Sequence, residues 1–535
     1  MRISKMSILR TLTIGLFAAA TVACSEDAIN GIDGADGADG VDGKDLTEKV
    51  LTPLESSITP VALVKVNSNF PNANLEVIMS SEDILPSSPE FIYGSMADGA
   101  GLLKDGDNYQ LIQNIERDYA VARITLNSDL KPLKGEYIMD AYASGYSNMC
   151  SATLATPEEH GFGPLFLTGA EWQGAYTGVF AFNPMRPSSS KSFATFMSAM
   201  GEWSAENAVP IGKDAYGKYT VVFIGDDEAD SNTPMAQFAM FIGEDQFGNQ
   251  DARMGNLSAG KRYVLKFADS NSFRTNYEGE MSEGQTIDVE WVEIDATLYD
   301  DINTECVAKD AIGFNRIADI DWRRGSSANQ REIYFNVTGR DKSGLTGTEE
   351  NDLGRVYKLV MNETDPKGPA KLTCILDGDD SSSKAYTLGL HSPDNITVTE
   401  NYVYVQEDPN GYASNNPNIG TSGPKIYQYD IVTKNLKIAL ECDQAFGSAN
   451  GYGLPTTGST SKYWEIGGMI DITDVIGASE PTFLLATQNH GWQPSNNGDN
   501  AKRADNATFT DPNANPDLST SQEGSVLFKV TGLGR

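Results

Sequence analysis

The sequence contains few of the residues that build thiol and imidazole sites. It has five cysteines and three histidines among 535 residues. Four cysteines are spread over the chain: Cys150, Cys306, Cys374 and Cys442. Their spacing matches no zinc-binding pattern, and in an oxidising compartment it allows one or two disulfides. The shortage of histidine argues against an imidazole-rich zinc site.

Motifs of several enzyme classes are also missing. The chain has no Gly-x-Ser-x-Gly, no His-Glu-x-x-His, no Gly-x-x-x-x-Gly-Lys-Ser/Thr and no Cys-x-x-Cys. Their absence excludes a nucleophile elbow, a zincin helix, a phosphate-binding P-loop and a thioredoxin-type redox pair in their usual forms.

Basic residues are scarce relative to acidic ones. There are 40 lysines and arginines against 74 aspartates and glutamates, which gives a formal charge of −34. So acidic a chain is not expected to bind nucleic acid or anionic lipid head groups by charge. It suits an extracytoplasmic protein that binds cations.

The N-terminus has the pattern of a lipoprotein export signal. Arg2, Lys5 and Arg10 precede the apolar run 11–23, and Cys24 follows this run directly. The run is too short to span a bilayer comfortably. We predict that 1–23 is removed after export by the Sec route. Cys24 would then carry lipid and anchor the chain to a bacterial outer membrane, on the periplasmic face or at the cell surface. The alternative is a plain signal peptide with an incidental cysteine.

A Gly/Asp-rich segment follows the expected anchor. Residues 31–45 (GIDGADGADGVDGKD) are five collagen-like Gly-x-x triplets without proline. So few triplets without proline should not hold a triple helix. We therefore expect residues 24–58 to be a solvated, acidic tether.

From about residue 60 the sequence alternates short strands with turns. Segments such as YTVVFIGDD, EIYFNVTG and PTFLLATQ are rich in β-branched and aromatic residues, with Gly, Asn, Asp and Pro between them. Only 187–203 has a helical pattern. The length fits a β-propeller of about six blades over residues 59–535, since each blade needs ~40–50 residues. The last strand, SVLFKV, is expected to close the ring against ALVKV near residue 62.

One predicted hairpin, within 392–410, brings acidic residues together. Ile396 would face Val405 and Val398 would face Val403, and the same register sets Asp394 opposite Glu407. At ~5 Å and an effective dielectric of about 20, two such charges repel by ~3 kcal/mol. A cation near this pair is therefore expected.

Further acidic residues occur at strand ends, which converge on the channel of a propeller. The candidate metal ligands are Glu116, Glu171, Glu206, Asp227, Asp319, Asp394 and Glu407. Oxygen ligands select hard cations, Ca²⁺ first and then Mg²⁺ or Mn²⁺. The alternative for each residue is a solvated turn. Arg316 would bind an anion or pair with an acidic neighbour. His490 is expected to be a hydrogen-bonded loop residue rather than a base.

The order of three passages resembles the PhoX-type alkaline phosphatase family, secreted β-propeller enzymes that use calcium and iron. The passages are 231–265, then EIYFNVTGR through GRVYKLVMN, and then HSPDNITVTENYVYVQED. The resemblance runs with gaps from about residue 98 to the end. It implies hydrolysis of phosphate esters by a metal cluster that Asp394 and Glu407 would serve.

The sequence departs from that family at several ligand positions. Where the family has Asn-His-Glu and Cys-Glu-Glu, this chain has 114–116 (Asn-Ile-Glu) and 169–171 (Gly-Ala-Glu). The missing thiolate argues against iron, so calcium is the expected cofactor. Cys150 is left as a substitute thiolate from elsewhere in the chain.

Two functions from different classes therefore remain open. One is a metal-dependent phosphoric ester hydrolase. The other is a non-catalytic, calcium-stabilised propeller that serves as a surface binding or scaffold module. A sugar- or lactone-processing propeller is a third possibility. The expected partner is a phosphate ester or a surface ligand of unknown chemistry, and a monomer is expected.

Overall fold

The structure is a computed structural model, and it describes residues 50–171, 176–229, 232–243, 257–340, 345–409, 416–419, 423–453, 463–492, 494 and 523–535. The expected signal peptide, Cys24 and most of the tether lie outside the described residues. Residues Leu51–Arg535 form one compact unit. No helix in these ranges is long and apolar enough to cross a bilayer.

Strands make up most of the regular structure, which confirms the all-β prediction. The strands are β1 Val64–Val66, β2 Asn74–Ser80, β3 Ala97–Asp105, β4 Asn108–Ile115, β5 Ala120–Leu126, β6 Pro132–Met139, β7 Ala152–Ala155, β8 Leu165–Ala170, β9 Gly178–Phe182, β10 Thr195–Phe196, β11 Ala205–Pro210, β12 Thr220–Asp226, β13 Phe238–Gly243, β14 Gly260–Phe267, β15 Thr286–Ile294, β16 Ile317–Trp322, β17 Glu332–Val337, β18 Arg355–Val360, β19 Ala370–Asp377, β20 Pro393–Val398, β21 Tyr402–Glu407, β22 Lys425–Asp430, β23 Leu436–Cys442, β24 Glu465–Asp471, β25 Thr482–Asn489 and β26 Gly524–Thr531. The helices are α1 Ala141–Ser144, α2 Pro157–His160, α3 Tyr299–Ala308, α4 Lys384–Leu388, α5 Gln444–Ala449 and α6 Thr473–Ile476.

The strands form antiparallel sheets, in which most neighbours are consecutive in the chain. Two sheets have the orders β3-β4-β5-β6 and β10-β9-β8-β7, and two more have the orders β1-β23-β22-β21-β20 and β2-β26-β25-β24. The fifth, β11-β12-β13-β14-β15-β19-β18-β17-β16, joins two groups of four strands where β15 pairs with β19.

The first strands of these groups pack side by side in a closed order. β3 packs against β7, followed by β11, β16, β20 and β24, and β24 packs against β3 again. We call these six the inner strands. Their closed order is a propeller-like arrangement, which brings distant parts of the chain to one axis.

The middle strands of the sheets are continuous apolar runs in the sequence, and strand β12 shows the reason. Val221 and Phe223 belong to one buried core, whereas Val222 and Ile224 belong to another. Successive side chains point to opposite faces of a sheet, so both faces of β12 are covered by neighbours. Alternation with polar residues is lost because neither face meets water.

Five inner strands carry a β-bulge near their beginning. In β3, Ala97 faces Ile115 and Ala100 faces Gln113, so the inner strand has one extra residue. Equivalent shifts lie at Ala205/Ala208, Ile317/Ile320, Pro393/Ile396 and Ile466/Met469. A bulge bends its strand and re-aims the side chains beside it.

The bulge in β20 corrects the predicted hairpin register. Ile396 faces Val405 and Val398 faces Val403, as predicted. Beyond Ile396 the extra residue shifts the pairing, so Pro393 rather than Asp394 faces Glu407. The prediction that Asp394 and Glu407 are cross-strand partners is wrong.

The helix predicted over 187–203 is also wrong. Two 3₁₀ turns, Ser188–Ser190 and Ser198–Met200, flank strand β10. Serine side chains offer the backbone alternatives to helical hydrogen bonds. Here Ser190 Oγ donates to the carbonyl oxygen of Pro187 at 2.8 Å.

The closure of the ring differs from the prediction as well. Strand β26 lies between β25 and β2 and does not pair with β1. β1 pairs with β23 instead. Two strands from the beginning of the domain therefore complete two sheets built from its C-terminal part.

Phe528 of β26 tests this closure. It is fully buried and faces Val77 of β2 and Leu485 of β25. We expect Phe528→Ala to lower the free energy of unfolding by about 3–5 kcal/mol, as removal of a buried aromatic ring does. Phe193, which is 76% exposed, supplies the matched control. In denaturant titrations Phe193→Ala should change stability by under about 0.5 kcal/mol. Equal effects of the two variants would contradict the closure.

Candidate metal centre

Equivalent positions in the inner strands supply the first half of the site. In each bulge, one residue directly follows the last paired residue. This residue is Asp98 in β3, Glu206 in β11 and Asp394 in β20. In β16 and β24 the same position holds Ala318 and Gly467. All three carboxylates are buried. The repeated bulge therefore carries acidic side chains from three separate sheets to equivalent positions around the axis.

Cys150 holds the same position just before β7. Asn114 Nδ2 donates to the carbonyl oxygen of Cys150 at 2.6 Å, and Asn336 Nδ2 donates in the same way to that of Asp394 at 2.8 Å. Potential ligand atoms of Asp98, Cys150 and Glu206 lie within 4.8 Å of one another.

The residue that follows the second strand of a group supplies the other half. This residue is Glu116 after β4, Glu171 after β8, Asp227 after β12 and Asp408 after β21, whereas Thr338 follows β17. Ligand atoms of Glu171, Asp227 and Glu206 lie within 4.8 Å of one another. Strand ends therefore meet the bulged inner strands at one place.

We call eight acidic residues at this place the carboxylate cluster. They are Asp98, Glu116, Glu171, Glu206, Asp227, Asp394, Asp408 and Glu465. Burial and repulsion between neighbouring carboxylates raise the pKa of several members. Desolvation, reinforced by neighbouring carboxylates, raises the pKa of Asp98, Glu206 and Glu465 well above the ordinary value. Burial raises the pKa of Glu116 to about 7.

Few positive groups offset this charge. Arg316 donates to Asp227 from Nε at 3.0 Å and from its terminal nitrogen at 2.8 Å. Arg117 and His490 also act on Glu116 electrostatically. These three groups cannot balance eight carboxylates, so the cluster fits one or more additional cations.

The donor set matches a hard divalent cation. Carboxylate oxygens dominate it, and such oxygens are the usual ligands of Ca²⁺. Asn395 adds a neutral oxygen: its Nδ2 donates to Asp98 Oδ1 at 2.9 Å and to Ser151 Oγ at 2.6 Å. Its buried Oδ1 has no hydrogen-bond partner in the part of the chain that the structure describes.

Glu407, a predicted ligand, has a structural role instead. Its carboxylate accepts bonds from the backbone N–H groups of His391, at 3.0 Å, and Lys425, at 2.8 Å. Burial alone would raise the pKa of Glu407, but His391 and Lys425 hold it below its ordinary value. Both oxygens are thus used to join strands.

Asp319 is also occupied by its neighbours. Its position is one residue beyond that of Asp98 and Asp394 in the bulge. Its carboxylate accepts bonds from Ile396 N at 3.1 Å and from Asn207 Nδ2. Of the predicted ligands, Glu116, Glu171, Glu206, Asp227 and Asp394 lie in the cluster, and Asp319 and Glu407 lie outside it.

Position 169 lacks the family's cysteine, but Cys150, left open as a substitute from elsewhere in the chain, lies beside the cluster. Cys150 Sγ donates to Glu171 Oε2 at 3.2 Å, and burial raises the pKa of this thiol. The prediction against iron was based on the loss of a sulfur ligand, and Cys150 supplies a sulfur atom at this place. The sulfur atom of Cys150, a soft donor, therefore lies beside carboxylate oxygens, which are hard donors.

A cavity of about 900 Å³ lies along the inner strands, and its lining includes Gly99, the residue directly after Asp98. Asn207, Asp319 and Asn395 contribute to its lining, together with apolar residues such as Leu154 and Trp322. The cluster therefore lies next to solvent-sized space within the channel.

Comparison with solved structures supports the fold. PhoX of Pseudomonas fluorescens, solved in complex with vanadate as a transition-state analogue, matches with a TM-score of 0.55 and 13% identity, over 90% of this chain and 97% of that one. The WD40 domain of Neurospora crassa Pan2 matches with a TM-score of only 0.34 and 7% identity, over 86% of this chain and 96% of that one, and carries no argument. No protein-family model matches the sequence. No curated protein matches it significantly. The chain is distantly similar to the PhoX propeller fold.

Asp98, Asp408 and Glu465 are members of the cluster that were not among the predicted ligands. Asp98 precedes Gly99 in a segment without a strand pattern of its own, and Glu465 directly follows Trp464. The detectable signal is the repeat of an acidic or thiol residue at the second bulge position. It becomes visible only when the inner strands are aligned by structure.

Two conservative substitutions should separate the roles of Asp394 and Glu407. Glu407→Gln places an amide donor against a backbone N–H, and we expect it to cost about 1–3 kcal/mol with or without Ca²⁺. Asp394→Asn removes one repelling charge, so it should raise the melting temperature in chelator and reduce the further increase on adding Ca²⁺. Thermal unfolding with and without Ca²⁺ measures both effects. An unchanged Ca²⁺ response in Asp394→Asn would refute its place in the site.

The stability of the chelated protein should fall with rising pH. An acid whose pKa is raised on folding stabilises the folded state while it is protonated, and this stability is lost as the pH rises from the unfolded pKa to the folded one. For Glu116 the window runs from 4.5 to about 7. We expect the melting temperature in EDTA to decrease from pH 5 to pH 7, and Ca²⁺ to oppose the decrease. A rise over that interval in EDTA would contradict the raised values.

Proposed function

We propose that the chain is a lipid-anchored, extracytoplasmic propeller of six blades that hydrolyses phosphate esters with divalent cations held in its channel. The observation that carries the proposal is the carboxylate cluster, which is buried, has few positive groups beside it and has the guanidinium of Arg316 at its edge. Buried acidic groups in such a number favour a metal-dependent hydrolase over a solvated acidic surface.

Two overlapping groups of side chains would hold the cations. Asp98, Cys150 and Glu206 form one, and Glu171, Glu206 and Asp227 form the other. Bound cations would offset the charge of the cluster, polarise phosphate oxygens and lower the pKa of a water molecule. Glu206 belongs to both groups, so the two positions would be neighbours.

Arg316 is the best candidate to bind the phosphate group. Most of the carboxylate cluster repels a phosphate dianion. At the equivalent positions of β16 and β17, however, the residues are Ala318 and Thr338, which carry no charge. Arg316 lies directly before β16, and Asp227 orients its guanidinium through two hydrogen bonds, at 3.0 and 2.8 Å. A fixed guanidinium binds phosphate oxygens with two parallel hydrogen bonds.

The comparison lends support to the same chemistry. The similar solved structure is that of PhoX with vanadate, described there as a transition-state analogue. At 13% identity, that activity comes to this chain as a proposal only. Export and attachment through Cys24 likewise stay proposals drawn from the N-terminal sequence.

A non-catalytic scaffold is the second candidate, and one observation favours it. Arg316 already pairs with Asp227, whose side chain is nearly fully buried. An arginine engaged in this way also fits a purely structural ion pair within a cation-stabilised channel.

Hydrolysis of p-nitrophenyl phosphate distinguishes the two. We expect activity that chelation abolishes, that Ca²⁺ restores and that vanadate inhibits. Arg316→Lys should lower kcat/KM by about 10²–10³, because a lysine cannot reproduce the paired hydrogen bonds. The matched control is Arg323→Lys, since Arg323 lies outside the cluster and donates to the Glu400 carbonyl oxygen at 2.7 Å. If the wild type is inactive with every divalent cation tested from pH 5 to 10, the hydrolase is excluded and the non-catalytic scaffold is the remaining function.

A further inference from the structure

The cavity of about 900 Å³ reaches the end of the channel opposite the carboxylate cluster. Its lining includes Leu103, Trp322 and Val398, which lie at or near the C-terminal ends of three inner strands. Asp98 of the cluster lies near the beginning of β3, and at a rise of about 3.3 Å per residue it is roughly 15 Å from Leu103. We call this end of the cavity the distal mouth, and its polar lining includes Glu158, His160, Asp214, Arg324 and Gln330.

A hydrogen bond across the axis separates the distal mouth from the cluster. Asn395 Nδ2, on β20, donates at 2.6 Å to the Oγ atom of Ser151, which directly precedes β7. In the closed order of the inner strands β20 and β7 are three places apart, so the bond joins opposite sides of the channel. Both residues line the cavity. The distal mouth is therefore apart from the metal centre and shares no residue with it.

His160 has a hydrogen-bond donor without an acceptor. The residue is more than nine-tenths buried and lines the cavity. Its Nδ1 accepts a bond from Thr156 N at 3.1 Å, and burial lowers the pKa of the imidazole to about 4. The ring is therefore neutral near pH 7 and carries its hydrogen on Nε2. Within the described residues Nε2 has no hydrogen-bond partner, which costs free energy that a bound acceptor recovers.

Gln330 supplies a second donor beside the first. Its side-chain oxygen accepts a bond from Asp214 N at 2.9 Å, which fixes the orientation of the amide. The contact of its Nε2 with the carbonyl oxygen of Gly325 is long, at 3.4 Å. Lys213 N donates to the carbonyl oxygen of Glu159 at 3.0 Å, so this segment lies against helix α2, which ends in the first donor.

Arg324 supplies a third donor and is held in place. Its Nε donates to Glu159 Oε1 at 2.9 Å, and its Nη1 donates to the carbonyl oxygen of Trp322 at 2.7 Å. The Cζ atom lies 4.2 Å from the centre of the Trp322 ring, and the His160 ring lies 6.0 Å from that ring. The other terminal nitrogen of Arg324, Nη2, donates to no group in the part of the chain that the structure describes.

Carboxylates are the groups that accept hydrogen bonds at the distal mouth. Glu158 and Asp214 are exposed, line the cavity and form no ion pair with any described residue. Both carboxylates repel an anion, whereas a cation meets the guanidinium of Arg324 and two N–H donors. A neutral ligand with hydroxyl groups fits both kinds of group, because each hydroxyl can accept one hydrogen bond and donate another.

We propose that the distal mouth binds a neutral oligosaccharide. The sugar hydroxyl groups accept hydrogen bonds from the three donors and donate to the two carboxylates. The volume of about 900 Å³ is within the range of ligand cavities, about 300–1,000 Å³. Apolar side chains of the lining, such as Leu154 and Val398, pack against the C–H groups of the sugar rings. The site is independent of ester hydrolysis.

Calorimetric titration of the full-length protein, in excess Ca²⁺ so that the cluster is filled, tests the proposal. The probes are maltotriose, cellotriose and mannotriose, and we expect at least one of them to bind at one site per chain. Glu158→Ala, Asp214→Ala and His160→Asn should each weaken that binding by about 3- to 10-fold, the effect of one lost hydrogen bond. The asparagine keeps an acceptor for Thr156 N and lacks the Nε2 donor. Glu363→Ala, at an exposed position outside the cavity lining, is the matched control and should change nothing.

Glu158 and Asp214 are exposed, so the melting temperatures of their variants should equal that of the wild type. A weaker binding in these variants then reports on the site and not on the fold. The proposal is overturned if none of the trisaccharides binds, if binding is unchanged in all three variants, or if Glu363→Ala weakens it equally. Tighter binding of spermidine than of any trisaccharide would also overturn it, because acidic charge alone would then select the ligand.

Discussion

Repulsion between buried carboxylates is the interaction on which the properties of this channel depend. Asp98, Glu206 and Asp394 come from separate sheets and are fixed by bulged strands, so they cannot move apart to relieve it. At ~5 Å and an effective dielectric of about 20, each ionised pair costs ~3 kcal/mol. The cluster must either take up protons or bind cations, and these two responses link stability to pH and to metal.

The same residue types perform two tasks in this channel, and their hydrogen bonds distinguish them. Asp319, Asp321 and Glu407 accept backbone N–H groups of neighbouring strands, for example Val398 N to Asp321 Oδ2 at 2.7 Å. They fasten one sheet to the next. Cluster members are instead surrounded by other acidic groups, and the backbone bond that Glu206 accepts from Ser151 N is long, at 3.4 Å. Burial and residue type alone do not separate a ligand from a structural carboxylate.

Local pattern was sufficient for the strands and for part of the site. The alternation in 396–405 predicted the pairing of Ile396 with Val405, because side chains alternate strictly along a paired strand. It could not predict the bulge before Ile396, which depends on the packing of β20 between β16 and β24. That single extra residue moved Glu407 away from Asp394. The contact of Cys150 with Glu171 was likewise not predicted, because it depends on the register in which β7 pairs with β8, and that pairing is not evident in the sequence.

The acidic residues are not distributed evenly around the axis, and the proposed phosphate site depends on this uneven distribution of charge. Ala318 and Thr338 leave a neutral side next to Arg316, where an anion can approach. On another side of the channel, His490 Nε2 lies 4.0 Å from Glu465 Oε2.

Metal analysis of the full-length protein, purified without chelator and then stripped, is the most direct test of cation binding by the cluster. The account predicts at least one divalent cation per chain, and a fall in the melting temperature at pH 8 when it is removed. A protein that contains no metal and unfolds at the same temperature in EDTA and in Ca²⁺ would contradict it.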